Sequence, residues 1–343
     1  MGAERVDAFL RSLGATDDQI EVARRESHIA GLAADLVLAK GADLTLADLA
    51  HRAGVEVEVA MRLWRTLGVT IPDEDRPMFS DQDVAFTSYI AELNPVGSHG
   101  NELLRVLGES LARVAEAAVS VYVQTVEPHL DVPEIDQVVW AQDLAEATMV
   151  ALRLGDSMGL IFSHHMRDAI DRQRFAQADV TERSLHRLAV GFVDLVGFTP
   201  LSLHTAPAEL LELISVFETQ AFEAARVYNG RIVKHIGDEV MFVALDAASA
   251  CAIARDITSA YGQAIEPRGG VAFGDVITRH GDYYGTVVNL ASRLADLAVP
   301  MEVLVDPATA SSAADRFRFR PAGFRLLKGF DQPFEVFSLD ADQ

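Results

Sequence analysis

The spacing of apolar residues changes character once along this chain, near Leu188, and that change limits the folds open to it. Up to about residue 180, apolar positions recur at helical spacing; from Leu188, short apolar runs alternate with helical stretches. The pattern predicts an all-α domain over 1–180, ending in a connector helix, and an α/β domain over 181–343. A chain of 343 residues is long enough for both, at roughly 100–200 residues per domain.

In the first half, Gly14 ends one helix, and Thr16-Asp-Asp-Gln19 has the spacing of a capping box for the next. Thr45-Leu-Ala-Asp48 opens another helix, followed by Gly54 and a further helical stretch to Gly68. Pro72, Pro77 and Pro95 mark loops. Glu102–Tyr122 then carries Leu103, Leu107, Leu111 and Val114 near helical spacing, and a second long helical region runs from about Pro133 to Gln177, with Gly155 as a point where it could break. The second half predicts strand Leu188–Leu195, helix Pro207–Tyr228, strands Arg231–Ile236 and Glu239–Leu245, and helix Ala247–Tyr261. Strand Gly269–Arg279, helix Thr286–Ala298, strand Glu302–Val305 and strands near Phe317–Leu327 and Phe334–Leu339 complete it.

The formal net charge is −22, and residues 1–180 hold 30 acidic against 15 basic side chains, a balance of −15. Such a field repels phosphate backbones and argues against extended nucleic-acid binding, while leaving room for a local cationic pocket. The single cysteine, Cys251, cannot close an intrachain disulfide and reads as a small buried thiol, which suits a reducing compartment. The most apolar run, Ile29–Ala39, contains Asp35 and is about half the roughly 20 residues of a membrane span. The N-terminus shows no leader pattern, so a soluble, cytoplasmic protein is expected.

Three stretches of the second half carry chemistry. Asp194 stands where an apolar strand ends and Val196-Gly-Phe198-Thr199 turns toward the next helix, a place where backbone amides can cradle phosphate oxygens. Asp238 occupies a Gly-Asp turn between two strands, which throws its carboxylate beyond the sheet edge. If those strands are neighbours the two carboxylates converge, as a pair of Mg²⁺ or Mn²⁺ ions on a phosphate site requires. Asn289 and Arg293, four residues apart, share one helix face. Lys234 could donate to adenine N1 while Asp282 accepts from the exocyclic amine; guanine presents the opposite pattern, so the pair favours ATP. Taken singly, each has a plainer reading as a strand end, a turn residue, a solvated helix face or a snorkelling lysine.

With Asp194, Lys234, Asp238, Asp282, Asn289 and Arg293 in this order, residues 186–340 resemble the catalytic domain of the class III adenylyl cyclases. The resemblance implies an α+β, ferredoxin-like βαββαβ core and a head-to-tail homodimer with two symmetric sites. In each site the metal aspartates Asp194 and Asp238 come from one protomer, and Asn289, Arg293, Lys234 and Asp282 from the other. It further implies two divalent ions (Mg²⁺ or Mn²⁺) as cofactors, ATP as substrate, Asn289 orienting the ribose and Arg293 stabilising charge on the α-phosphate. Phe198 and Thr199 fall in the phosphate-side turn, and Lys328 in Leu327-Lys-Gly-Phe is a further candidate for the triphosphate beside its reading as a surface lysine.

The helical half resembles, more weakly, the N-terminal regulatory region of soluble mycobacterial-type class III cyclases, which implies autoinhibition and a response to pH or to a small, lipid-like ligand. His164 and His165 on the connector, with His235 and His280 beside the site residues, are candidates for a pH response. A rival reading starts from Leu46–Val55 and Ala60–Gly68, which resemble a MerR-like helix-turn-helix with Arg52, Arg62 and Arg65 as a small basic cluster: a DNA-binding regulator with a nucleotide-sensing, cyclase-like domain. A diguanylate cyclase is disfavoured because His-Ile-Gly-Asp-Glu-Val stands where that family has its Gly-Gly-Asp/Glu-Glu-Phe signature, and a guanylyl cyclase is disfavoured by Lys234 and Asp282.

Overall fold

The structure, a computed structural model, describes residues 2–93, 98–125, 136–176, 185–260, 266–330 and 332–340. Pro95, Pro133, Gln177, Tyr261 and the expected boundary at 180/181 lie outside them. The chain forms two compact units, Met1–Ser163 and His164–Gln343.

The first unit is helical: α1 (Gly2–Ser12), α2 (Asp17–Arg25), α3 (Leu32–Leu38), α4 (Leu46–Ala53), α5 (Val57–Thr66), α6 (Asp81–Leu93), α7 (Ser98–Thr125) and the beginning of α8 (Gln137–Ala176). The Thr16 hydroxyl caps α2 and Gln19 reaches back; Thr45 and Asp48 make the same reciprocal pair on α4, satisfying amides that each helix start leaves free. One core joins Val6, Leu10, Ile20 and Ala33 to Val138, Ala141 and Ala145 of α8. Another gathers Leu44, Leu46, Leu49, Ala60 and Phe79 around α4 and α5. The expected turn between α4 and α5 is present, closed by Gly54 in the left-handed region, and Arg52 is tied to Asp81 at 2.9 Å. Gly155 does not interrupt α8, which runs unbroken for 40 residues; a single helical glycine costs only about 1 kcal/mol. Leu103, Leu107, Leu111 and Val114, although helically spaced, are exposed on α7 in the single chain.

The second unit is built on one sheet, ordered β2-β3-β1-β4-β6-β8-β7, with β5 pairing β4. The strands are β1 (Leu185–Leu195), β2 (Arg231–Ile236), β3 (Glu239–Ala244), β4 (Pro267–Arg279), β5 (Asp282–Tyr284), β6 (Val303–Val305), β7 (Phe319–Arg325) and β8 (Phe334–Leu339). Between them lie α9 (Phe198–Ser202), α10 (Pro207–Val227), α11 (Ala247–Ala260), α12 (Thr286–Leu297) and α13 (Pro307–Ser312). Central β1 runs antiparallel to both β3 and β4, so the β4-β1-β3-β2 portion has the expected ferredoxin-like order. Where the sequence reads Asp282-Tyr-Tyr-Gly as a turn, its first three residues form β5 on the extended end of β4.

β1 is buried on both faces, which is why it reads as a continuous apolar run. Its side chains alternate: Ala189, Val193 and Leu195 enter the core shared with α11, while Leu188, Val190 and Phe192 enter the core under α12. By this parity Asp194 emerges on the α12 side. Gly270 of β4 lets α12 lie close, since a Cβ there would stand 2.2 Å from the Ala295 amide nitrogen and 2.4 Å from the Ala291 carbonyl oxygen.

Candidate active site

Strand register assembles the acidic end of the sheet. Asp194 is the cross-strand partner of Glu239 on β3 and of Arg268 on β4, so the three side chains form a row across β3, β1 and β4. The turn between β2 and β3 places Gly237 in the left-handed region and sets Asp238 next to that row, where its carbonyl accepts from the Leu195 amide at 3.3 Å. Asp194 and Asp238 therefore occupy one site, as the neighbouring-strand argument requires.

Electrostatics mark the place. Burial raises the Asp194 pKa above the ordinary carboxylate value; a hydrogen bond from Arg268 opposes this, and the nearby Asp238 charge adds to it. Glu239 is pushed up to about 7, first by burial and then by the charges of Asp194, Asp296 and Asp238. Four carboxylates thus crowd one sheet end. Arg268 partly neutralises them, donating from Nε at 3.2 Å and Nη2 at 3.0 Å to Asp194, while its Nη1 holds the carbonyls of Asp296 (2.7 Å) and Ala298 (3.3 Å) at the end of α12. One guanidinium so ties the Asp194 carboxylate to the helix that carries Asn289 and Arg293.

Lys234 and Asp282 form an ion pair across β2 and β5, both partly open to solvent. The β5 strand makes this possible by fixing Asp282 opposite Arg279 at the end of β4. Asn289 is exposed on α12, and Arg293 one turn later pairs with Asp296 at 2.8 Å. Phe198 begins α9 and is partly buried against the α11-side core; the Thr199 side chain lies outside the described residues. Lys328 is exposed in the turn after Leu327.

The four histidines named from the sequence differ in their surroundings. His164 and His165 are exposed on α8. His280 sits at φ 56° in the turn between β4 and β5. His235 has its Nδ1 3.8 Å from Glu218 Oε1, and its buried Nε2 has no hydrogen-bond partner among the described residues. The sequence reading passed over His186, which is 3% exposed on β1 with its pKa lowered by burial. It also missed Arg268, Glu239 and Asp296. Glu239 adjoins Asp238 in sequence, the one local clue; Arg268 and Asp296 acquire meaning only through strand register and helix placement.

The two aspartates fit a divalent cation by donor chemistry, being hard oxygen ligands amid excess negative charge. Among the described residues no cluster of three or more metal-ligating side chains forms. Further coordination would therefore come from phosphate oxygens or water. No helix among the described residues is long and apolar enough to cross a membrane.

Residues 180–341 match the adenylate and guanylate cyclase catalytic domain family. An uncharacterized protein of Mycobacterium tuberculosis is 33% identical over 341 residues, covering 96% of this chain and 88% of that protein. An adenylate cyclase of Streptomyces coelicolor is 34% identical over 299 residues, covering 80% of this chain and 72% of its own length. Among solved structures, the adenylyl cyclase CyaB from P. aeruginosa aligns at 26% identity and a TM-score of 0.43 over 46% of this chain and 96% of that one. With relatives 33% and 34% identical matched over 88% and 72% of their length, the chain belongs to the class III adenylyl cyclases.

Proposed function

We propose that the protein converts ATP to 3′,5′-cyclic AMP and pyrophosphate as a homodimer, with its helical first half, residues 1–180, regulating the catalytic half, 181–343. The observation that carries the reading is the convergence of Asp194 and Asp238 at one sheet end, with the Lys234–Asp282 ion pair bridging β2 and β5. In the reaction a bond forms between the ribose 3′-oxygen and the α-phosphorus, the bond from that phosphorus to the bridging oxygen breaks, and pyrophosphate leaves. Asp194 and Asp238 would hold two divalent ions, Mg²⁺ or Mn²⁺, which supply charge neutralisation and a more acidic 3′-hydroxyl when bound.

The chain's own groups do the rest. Lys234 donates to adenine N1 and Asp282 accepts from the exocyclic amine, a pairing for which their mutual ion pair already holds both side chains in position. Asn289 orients the ribose and Arg293 stabilises charge developing on the α-phosphate, so Arg293 must exchange Asp296 for the nucleotide. Arg268, now on Asp194, is placed to take up phosphate charge once cations occupy the carboxylates.

Pairing of two copies is supported by the apolar side chains left open beside site residues: Ile236, Tyr284, Leu297, Phe324 and Leu326 are 49%, 48%, 40%, 67% and 72% exposed. Incubating the purified full chain with ATP or GTP, in Mg²⁺ or Mn²⁺, tests the activity. Cyclic AMP from ATP with little product from GTP is expected; absence of cyclic AMP in both metals would overturn the reading.

A further inference from the structure

A cavity of about 230 Å³ lies inside the second unit, away from the acidic end of the sheet. From His186 on its wall to Asp194, β1 advances about 26 Å at about 3.3 Å per residue. Its lining combines apolar surface from Leu188 and Val243 with the polar side chains of Arg172, His186, Arg231 and Thr278. Asp282 contributes to the rim.

Three of these groups keep hydrogen-bonding capacity that no neighbour among the described residues takes up. The ring of His186, a residue 3% exposed, has no hydrogen-bond partner among the described residues, so a group able to donate and accept faces the cavity unanswered. Arg172, half-buried near the end of α8, pairs with no carboxylate among the described residues. Arg231 spends one nitrogen on the Gly281 carbonyl at 3.0 Å and lies over the Tyr283 ring at 5.4 Å, with no carboxylate partner among the described residues and further N–H groups to spare. In a chain of net charge −22, two arginines without carboxylates on one cavity stand out against their surroundings.

We propose that this cavity binds a compact organic or inorganic anion, a small carboxylate or a phosphate, held by Arg172 and Arg231 with His186 completing its hydrogen bonds. The size admits a few heavy atoms beyond the charged group, and the apolar wall suits a short hydrocarbon portion better than a nucleotide. Because Asp282 forms part of the rim, an occupant borders the residue assigned to the adenine amine. The proposal does not depend on the cyclase assignment.

The test uses the full chain with ¹³C-labelled histidine, the His186 ring signal being assigned by its loss in His186→Asn. Succinate and inorganic phosphate are titrated separately against sodium chloride at matched ionic strength. The expected result is a saturable shift of the His186 signal with at least one of them, half-complete at or below about 10 mM. In Arg172→Gln the midpoint should rise about tenfold or more, and Arg172→Lys should restore part of it. A response to succinate alone identifies a carboxylate site, and to phosphate alone a phosphate site. No saturable shift with either anion, or an unchanged midpoint in Arg172→Gln, overturns the proposal. Should His186→Asn fail to fold, calorimetric titration of wild type and Arg172→Gln with the same two anions decides by the same criterion.

Discussion

Replacing Glu239 with glutamine should stabilise the metal-free protein in a manner that depends on pH. In the folded chain the Glu239 carboxyl titrates at about 7 against an ordinary value of 4.5, chiefly through burial, with Asp194 the largest of the neighbouring charges. The folded state therefore holds this proton more tightly than the unfolded state, so stability falls as pH rises from 4.5 through about 7. Over that interval, at about 1.4 kcal/mol per pH unit, the cost of ionising Glu239 has a ceiling of roughly 3 kcal/mol, and water reaching this half-buried side chain screens it to about 1–2 kcal/mol. Glutamine keeps the shape and abolishes the ionisation, so Glu239→Gln recovers up to that amount at pH 8.5 and almost nothing at pH 5. At about 2–4 °C per kcal/mol for a unit of this size, Tm should rise by roughly 2–8 °C at the higher pH. Scanning calorimetry in EDTA at both values reads it directly. Adding Mn²⁺ at pH 8.5 should narrow the difference, because positive charge on Asp194 and Asp238 makes the third carboxylate less costly. Equal gains at pH 5 and 8.5, or none at 8.5, would refute the electrostatic account of the acidic row.

Gly270→Ala should destabilise by about 1–3 kcal/mol and lower activity more than Gly197→Ala, because its methyl would collide with the backbone of α12 and displace Asn289 and Arg293; urea unfolding and cyclic AMP formation measure the two effects. Arg293→Ala should reduce kcat by about 10²-fold or more with a smaller change in KM for ATP, as expected when a transition-state contact is lost; an unchanged kcat would remove Arg293 from that role. Cys251 is buried, with its thiol pushed up to about 12 by burial first and nearby Asp306 and Asp246 next, so a thiol reagent at pH 8 should label it only after denaturation.

Local chemistry made much of this structure legible. Thr16 and Thr45 announce their helices because a capping box is complete within four residues, and the apolar run ending at Asp194 announces a central strand because both faces of β1 are covered. Asp194 and Asp238 could be named from their positions at a strand end and a Gly-Asp turn. What escaped depends on distant pairing. β5 is three residues long and exists only because β4 extends to Arg279 to receive it, so Asp282-Tyr-Tyr reads locally as a turn. Arg268 becomes a partner of Asp194 through a register between residues 74 apart. Leu103, Leu107, Leu111 and Val114 show helical spacing without revealing what covers them, since period reports a face and not its partner.

The central claim, that each site draws side chains from two copies of the chain, is tested most directly by mixing Asp194→Ala with Arg293→Ala. Each variant alone should be nearly inactive. On random re-pairing about half the dimers are mixed, and each of these holds one site with both Asp194 and Arg293 intact, so the mixture should recover roughly a quarter of wild-type cyclic AMP formation. A mixture that forms mixed dimers by native mass spectrometry yet stays at the level of the separate variants would contradict a site shared between protomers.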